Sequence, residues 1–362
     1  MVEPRHIAVV APRVSAGGVG AYAGTLRDRM EATGVRTTLR PIGDGVGVAA
    51  TARAGWRSAR DSDVHLHFEY GFFRPKLLLA WVFLLPLWLG RAVWRRRVVV
   101  TVHEVWTPET VGWVQYAYVW LVHSLLAATA TDLVFMTREA TRDFGAAVTP
   151  RTHLIPHGVP VSDRRELSRA EARETFGYDR EATVVAQIGY VSDRKGTDEV
   201  VTLAERHPDT EFLIAGGPRR PEDEPYVDRI EATAGPNVRV TGVLDDDAFH
   251  HAFVAADVAV LAYRDIRQSG ILNWCFAYGL PAVCRSIPRF RTVAERCEGV
   301  VLFGEGEGSI DDALTAALTD RDALSEAMRA YADRNSLDDV ASSYLSVLGP
   351  QASFADAENG NS

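Results

Sequence analysis

The chain has 362 residues, 47% hydrophobic and 24% charged, an ordinary globular composition that suits two α/β domains rather than one small core. Its formal net charge of −9 argues against a nucleic-acid binder, whose footprint is a basic surface. Three cysteines, Cys275, Cys284 and Cys297, form neither a paired framework nor a CxxC spacing, so a reducing compartment without structural zinc is expected.

The first six residues lead at once into an apolar strand-like run, 7–11, so no signal peptide is expected. A glycine loop, Ala16-Gly17-Gly18-Val19-Gly20, follows, then a helix to about residue 33. Buried strands are expected at 64–68, 98–102 and 133–136, with a short strand after Pro150 and a turn over 153–160. A polar helix, 167–175, opens a second series with strands at 184–188, 211–215, 238–241, 258–261, 282–284 and 300–302. A helical pattern over 309–348 completes it, and the small polar residues 351–362 read as a disordered tail. Such alternation predicts an α/β chain of two Rossmann-like lobes with parallel sheets covered by helices. The expected division is 1–160 and 161–335, with a helix over 336–350 packing back on the first lobe.

In doubly wound sheets ligands sit beyond the carboxyl ends of the strands. Gly17, Gly18 and Gly20 follow the first strand, Glu69 the strand 64–68, and His103 and Glu104 the strand 98–102. In the second series Gly189, Arg194 and Lys195 follow 184–188, Gly216 and Gly217 follow 211–215, and Asp265, Gln268, Ser269 and Gly270 follow 258–261. A cleft between two facing lobes is the economical arrangement. The turn Gln268-Ser269-Gly270 runs into an apolar helix-like segment broken by Gly279-Leu280-Pro281. Its helix start offers free backbone N–H groups and a positive dipole end to a phosphate.

The set Gly17-Gly18-Val19-Gly20, Val102-His103-Glu104, Ile155-Pro156-His157-Gly158-Val159, Gly189…Lys195-Gly196, Ala255-Ala256-Asp257-Val258 and Ser269-Gly270…Gly279-Leu280-Pro281 resembles the nucleotide-sugar-dependent glycosyltransferases of the GT-B fold, family 4, over about residues 6–348. The resemblance implies a nucleotide-sugar-binding C-terminal lobe, an acceptor-binding N-terminal lobe, and transfer with retention and no essential metal or other cofactor. It implies a nucleoside-diphosphate sugar donor, UDP- or GDP-linked. Lys195 and Arg194, with Gln268, Ser269 and Gly270, would meet the charge on the departing diphosphate. Gly17, Gly18, Gly20, Gly189, Gly216, Gly217 and Asp265 complete the donor side, His103 would orient the sugar, and Glu69 and Glu104 lie on the acceptor side.

The chain also departs from that family's pattern. Two glutamates eight positions apart usually precede the Gly-x-Pro; their positions are Ile266 and Trp274 here, and Asp265 is the nearest substitute for the first. The arginine usual after the glycine of Gly189 is Tyr190, which moves the second cation to Arg194. Two alternatives therefore stay open: a non-catalytic GT-B scaffold or glycan-binding protein, and a sugar-nucleotide epimerase. Taken singly, the glycines also read as tight turns, His103 as a core histidine, Lys195-Gly196 as a surface helix start and Glu69 as a cap.

Residues 72–97 carry six Lys or Arg and no acid, around an apolar run, 77–90, that is too short to span a bilayer. Trp81, Trp88 and Trp94 with flanking arginines suit a headgroup boundary, and a second aromatic stretch follows at Trp113, Tyr116 and Trp120. The alternative is a pair of buried helices. Membrane contact would put the protein on the cytoplasmic, inner face of the cell membrane and make the acceptor lipid-linked or part of a surface glycan.

Overall fold

The computed structural model describes residues 6–13, 18–43, 47–73, 77–266 and 269–349. Gly17, Gln268, residues 74–76 of the basic stretch and the tail 351–362 lie outside them. The chain divides into two units, one of Met1–Gly158 with Leu337–Ser362, the other of Val159–Ser336. The sequence boundaries stood at 160/161 and 335/336.

The first unit holds β1 (His6–Ala11), β2 (Arg36–Pro41), β3 (Asp63–Phe68), β4 (Val98–Val102), β5 (Asp132–Phe135) and β6 (Arg151–Leu154). They pair in the order β2-β1-β3-β4-β5-β6, every pair parallel. Parallel strands are covered on both faces, so the central ones are near-continuous apolar runs. In β4, Val98, Val100 and Val102 face one core, while Val99 faces another with Ile7 and Val9 of β1. The second core is closed by the helices Gly18–Ala32 and Leu337–Leu348, through Tyr22, Leu26, Met30, Val340, Ala341 and Tyr344.

The second unit holds β7 (Val184–Ile188), β8 (Glu211–Ala215), β9 (Val238–Val240), β10 (Val258–Leu261), β11 (Ala282–Arg285) and β12 (Val300–Phe303). Its order is β12-β11-β10-β7-β8-β9, again all parallel. Val184, Ala186 and Ile188 of β7 face one core and Val185 the other. Asp257, just before β10, ties the amino edge of this sheet together. Its buried carboxylate accepts from Arg173 at 2.8 Å, Arg321 at 2.7 Å, Arg169 and the backbone N–H of Val184 at 2.9 Å.

In both sheets the order of strand addition reverses, in the first between β1 and β3, in the second between β7 and β10. At such a switch point the loops beyond the carboxyl ends diverge and leave a crevice. The loops after β1, β3, β7 and β10 are those that carry most of the sequence-selected residues.

Candidate functional site

In the second unit the loop after β7 makes a 3-10 turn, Asp193–Lys195, and then the helix Thr197–Arg206. Gly196 joins them at φ +63°, and a Cβ there would stand 2.3 Å from the carbonyl oxygen of Ala262. Only glycine meets both demands. The turn is pinned further by Gln187 Nε2 donating to the Lys195 carbonyl at 2.9 Å and Arg264 N–H donating to the Arg194 carbonyl at 2.8 Å. The Lys195 ammonium is thereby delivered to the end of β7. Nζ lies 3.0 Å from where a Gly189 Cβ would sit, a point also 2.9 Å from Cδ1 of Ile271. It stands 5.3 Å from the centroid of the Tyr263 ring. Ile271 belongs to the first turn of the helix Gly270–Tyr278, so the ammonium and a side chain of that turn meet at one spot.

Ser269 is the N-cap of that helix, its side chain accepting from the Leu272 N–H at 3.1 Å. Beside Gly270 a Cβ would meet nothing within 4 Å, so no described group crowds the helix there, and a helix amino end favours an approaching anion. Burial, and then the guanidinium groups of Arg194 and Arg219, push the Lys195 amine down to about 8. A partly buried ammonium beside two like charges is a strained arrangement that an anion would relieve. Asp265 is exposed. Gly216 and Gly217 are packed backbone to backbone: Cβ atoms there would lie 2.2 Å from the Gly189 oxygen and 2.7 Å from the Val243 nitrogen. Ile266 and Trp274, the positions of the missing glutamates, pack on the core, Trp274 within an aromatic group with Phe249, His250, Phe253 and Tyr278.

In the first unit the glycine loop ends earlier than the sequence suggests. Gly18 and Gly20 belong to the first turn of the helix Gly18–Ala32 and not to the loop, and a Gly20 Cβ would collide with the Arg13 carbonyl at 2.3 Å. His103 follows β4, its N–H donating to the Phe68 carbonyl at 3.0 Å. Its ring stacks on His67 with Nε2 2.9 Å from His67 Nδ1, and Tyr22 meets it edge-on at 5.8 Å. Tyr22 also covers His157 at 4.1 Å. Burial holds His103 and His65 at about 3 and His67 well below its ordinary value, so the group is neutral near pH 7.

One tautomer satisfies the pair best. His67 Nε2 is buried without a partner, and an unpaired lone pair costs less there than an unpaired N–H. The proton then sits on His67 Nδ1, which donates to His103 Nε2, and His103 carries its own proton on Nδ1. That makes His103 a hydrogen-bond donor rather than a base. Glu104 accepts from the Trp106 indole N–H at 2.8 Å, and Glu69 lies at the head of the 3-10 turn Tyr70–Phe73. Among the described residues no group of His, Cys, Asp or Glu could hold a metal ion.

Sequence reasoning missed Tyr22, His67, Tyr263 and Arg219. His65-Leu66-His67 places two histidines on one face of β3 by simple alternation, a signal open to it. Tyr263 had none, since its place beside Lys195 depends on the tertiary fold.

The residues 72–97 fall largely in the helix Leu78–Trp94, which packs against the helices Val48–Asp61 and Trp113–Thr129. Ala80, Phe83, Leu84 and Leu87 are buried, whereas Leu85, Trp88, Leu89 and Val93 are 40–63% exposed. Trp113, Val114, Trp120 and Leu121 on the neighbouring helix are exposed as well. Each helix therefore buries one stripe and presents a second apolar stripe to solvent. No helix among the described residues is long and apolar enough to cross a membrane.

Residues 185–330 match the family described as Glycosyl transferases group 1. No curated protein sequence matches the chain. Solved structures similar to it include HepE of Anabaena in complex with UDP, at 15% identity and TM-score 0.71 over 95% of this chain and 99% of that one. Sucrose-phosphate synthase of Thermosynechococcus elongatus aligns at 17% identity and TM-score 0.70, over 94% and 97%. WaaG, a glycosyltransferase involved in lipopolysaccharide biosynthesis, aligns at 17% identity and TM-score 0.62, over 95% and 99%. The fold is GT-B, and the motif-based resemblance to group 1 glycosyltransferases stands.

Proposed function

We propose that this GT-B chain, whose residues 185–330 match the group 1 glycosyl transferases, moves a sugar from a nucleoside-diphosphate donor to a hydroxyl acceptor with retention of configuration. The observation that carries the reading is the Lys195 ammonium set against Gly189 and the first turn of the helix Gly270–Tyr278. In the transfer the bond from the anomeric carbon to the phosphate oxygen breaks, and its electron pair leaves on the diphosphate. The acceptor oxygen bonds the same carbon and loses its proton to the departing phosphate. Lys195, Arg194 and the amino end of the helix Gly270–Tyr278 oppose the charge that develops on the leaving group, which is where fixed dipoles lower a barrier most. His103 donates from Nδ1 to a sugar hydroxyl and holds the ring in position. Crystals of the similar HepE contain UDP, which supports a UDP-linked donor.

Nucleotide-sugar turnover in a panel of UDP- and GDP-sugars, with EDTA present, tests the reading. Activity in the wild type and its loss in Lys195→Ala are expected; a Lys195→Ala protein as active as the wild type refutes it. A non-catalytic glycan-binding scaffold is the second reading, favoured by Ile266 and Trp274 sitting in apolar surroundings where carboxylates are usual. Absence of turnover with every donor, alongside retained glycan binding, selects it.

The acceptor we infer to be lipid-linked, with the protein docked on the inner face of the cell membrane. Support comes from the exposed stripe Leu85, Trp88, Leu89 and Val93, beside an arginine-rich segment that lacks any acid between Glu69 and Glu104. Arg97 is unsuitable as a probe because it donates to the Leu348 carbonyl at 2.8 Å. Serine substitutions at Trp88, Leu89 and Val93 leave the buried stripe intact. Flotation with phosphatidylglycerol vesicles should be lost in that variant, and unchanged flotation refutes the docking.

A further inference from the structure

The cations at the carboxyl edge of the second sheet differ in how they are occupied. Arg264 donates to Asp193 at 3.1 Å and Asp198 at 2.7 Å, and Arg285 to Glu199, so both are neutralised within the fold. Lys195, Arg194 and Arg219 form no ion pair with a carboxylate among the described residues. These three nonetheless stand close enough for the two guanidinium groups to weaken proton binding at Lys195. Three like charges with no carboxylate partner among the described residues, gathered at one edge of a chain of net charge −9, favour the approach of an anion there.

Arg219 was not among the sequence-selected residues, and its placement is built in. The turn after β8 is clamped to the turn after β7 by Gly189 N–H donating to Ala215 at 2.9 Å and Val191 N–H donating to Gly217 at 2.8 Å. Val191 and Pro218 form an isolated parallel bridge. The absent side chains of Gly216 and Gly217 permit this closeness, and Pro218 fixes the backbone immediately before Arg219. The Arg219 guanidinium then lies over the ring of Tyr190, 5.9 Å from its centroid, and Tyr190 directly follows Gly189. An aromatic face holds a guanidinium in place while leaving its N–H groups free for a ligand.

We infer that Arg219, held by Tyr190, is a donor-binding residue that donates to the non-bridging oxygens of the nucleoside diphosphate opposite Lys195. This deepens the proposed function and rests on it. Arginine suits the task because its planar fork pairs with two phosphate oxygens at once. Tyr190 thus has a positioning part, and the neighbouring Arg220, also exposed, serves as the comparison.

Calorimetric titration with UDP, GDP and inorganic pyrophosphate tests the assignment. Arg219→Ala should weaken each by about tenfold or more, since a charge-assisted pair is lost, whereas Arg220→Ala should match the wild type. Tyr190→Arg introduced into Arg219→Ala should recover part of the affinity by supplying a cation from the adjacent position. Both residues are exposed, and unchanged melting temperatures would show that folding is intact. A wild type that binds none of the three probes refutes the proposed function itself. A wild type that binds UDP or GDP, with Arg219→Ala within twofold of it, overturns the Arg219 assignment alone.

Discussion

Raising the pH should weaken nucleotide binding through one amine. Lys195 titrates at about 8 in the free protein, against an ordinary 10.5, because burial and the charges of Arg194 and Arg219 disfavour the ammonium. A diphosphate beside it removes that penalty and returns the amine toward its ordinary value. Below pH 7 the ammonium is present before binding, so Lys195 adds no pH dependence there. Above pH 8 each binding event must take up a proton, so the dissociation constant should rise about tenfold between pH 7 and 9. Calorimetry with UDP in two buffers of different ionisation enthalpy should show about half a proton taken up at pH 8. Lys195→Arg keeps the charge and cannot titrate, so it reports any ionisation of the ligand itself. The free protein should show the opposite sign: the unfolded chain holds the proton more tightly, so Lys195 lends stability as pH rises from about 8 toward 10.5. Identical affinity profiles for wild type and Lys195→Arg, with no proton uptake, would refute the argument.

Gly196→Ala should destabilise the protein by about 3 kcal/mol or more in urea unfolding, because a left-handed alanine also meets the Ala262 carbonyl. Asp257→Asn should cost about 3–5 kcal/mol by the same measure, since Arg169, Arg173 and Arg321 lose their shared buried carboxylate. Ser269→Ala should cost about 1 kcal/mol through the lost cap, whereas Ser269→Asp should keep the stability and weaken UDP binding by placing an anion at the helix start. Nitrogen-15 spectra of histidine-labelled protein should show His103 protonated on Nδ1; a proton on Nε2 would overturn the role given to His67.

The central strands were legible because a parallel sheet demands apolar residues on both faces, and runs such as Val98–Val102 can satisfy little else. β2 escaped for the complementary reason. It lies at a sheet edge, is half-exposed, and its sequence Arg-Thr-Thr-Leu-Arg-Pro carries no hydrophobic period. The helix start at Gly18 was read as loop because glycine-rich sequence suggests irregular backbone, whereas here small residues open the helix and Gly20 lets it approach Arg13. Lys195 and Ser269 could be named from sequence since each sits one short turn beyond a recognisable strand. Arg219 and Tyr263 could not, because their importance arises from how separate loops are clamped across the sheet, which no local pattern encodes. The basic tryptophan-rich segment was posed as either buried or exposed, and the helix is both, on opposite faces.

The second unit begins and ends at the same place. Val159 and Ser336 pair as a parallel bridge, with the Val159 N–H donating to the Asn335 carbonyl at 2.8 Å. A continuous stretch whose two ends already meet needs no spacer to be excised, expressed alone or grafted into another host. The second unit is in that sense a cassette, and on the function proposed above, recombination at these two peptide bonds would exchange donor preference while the remainder of the gene stayed as it was.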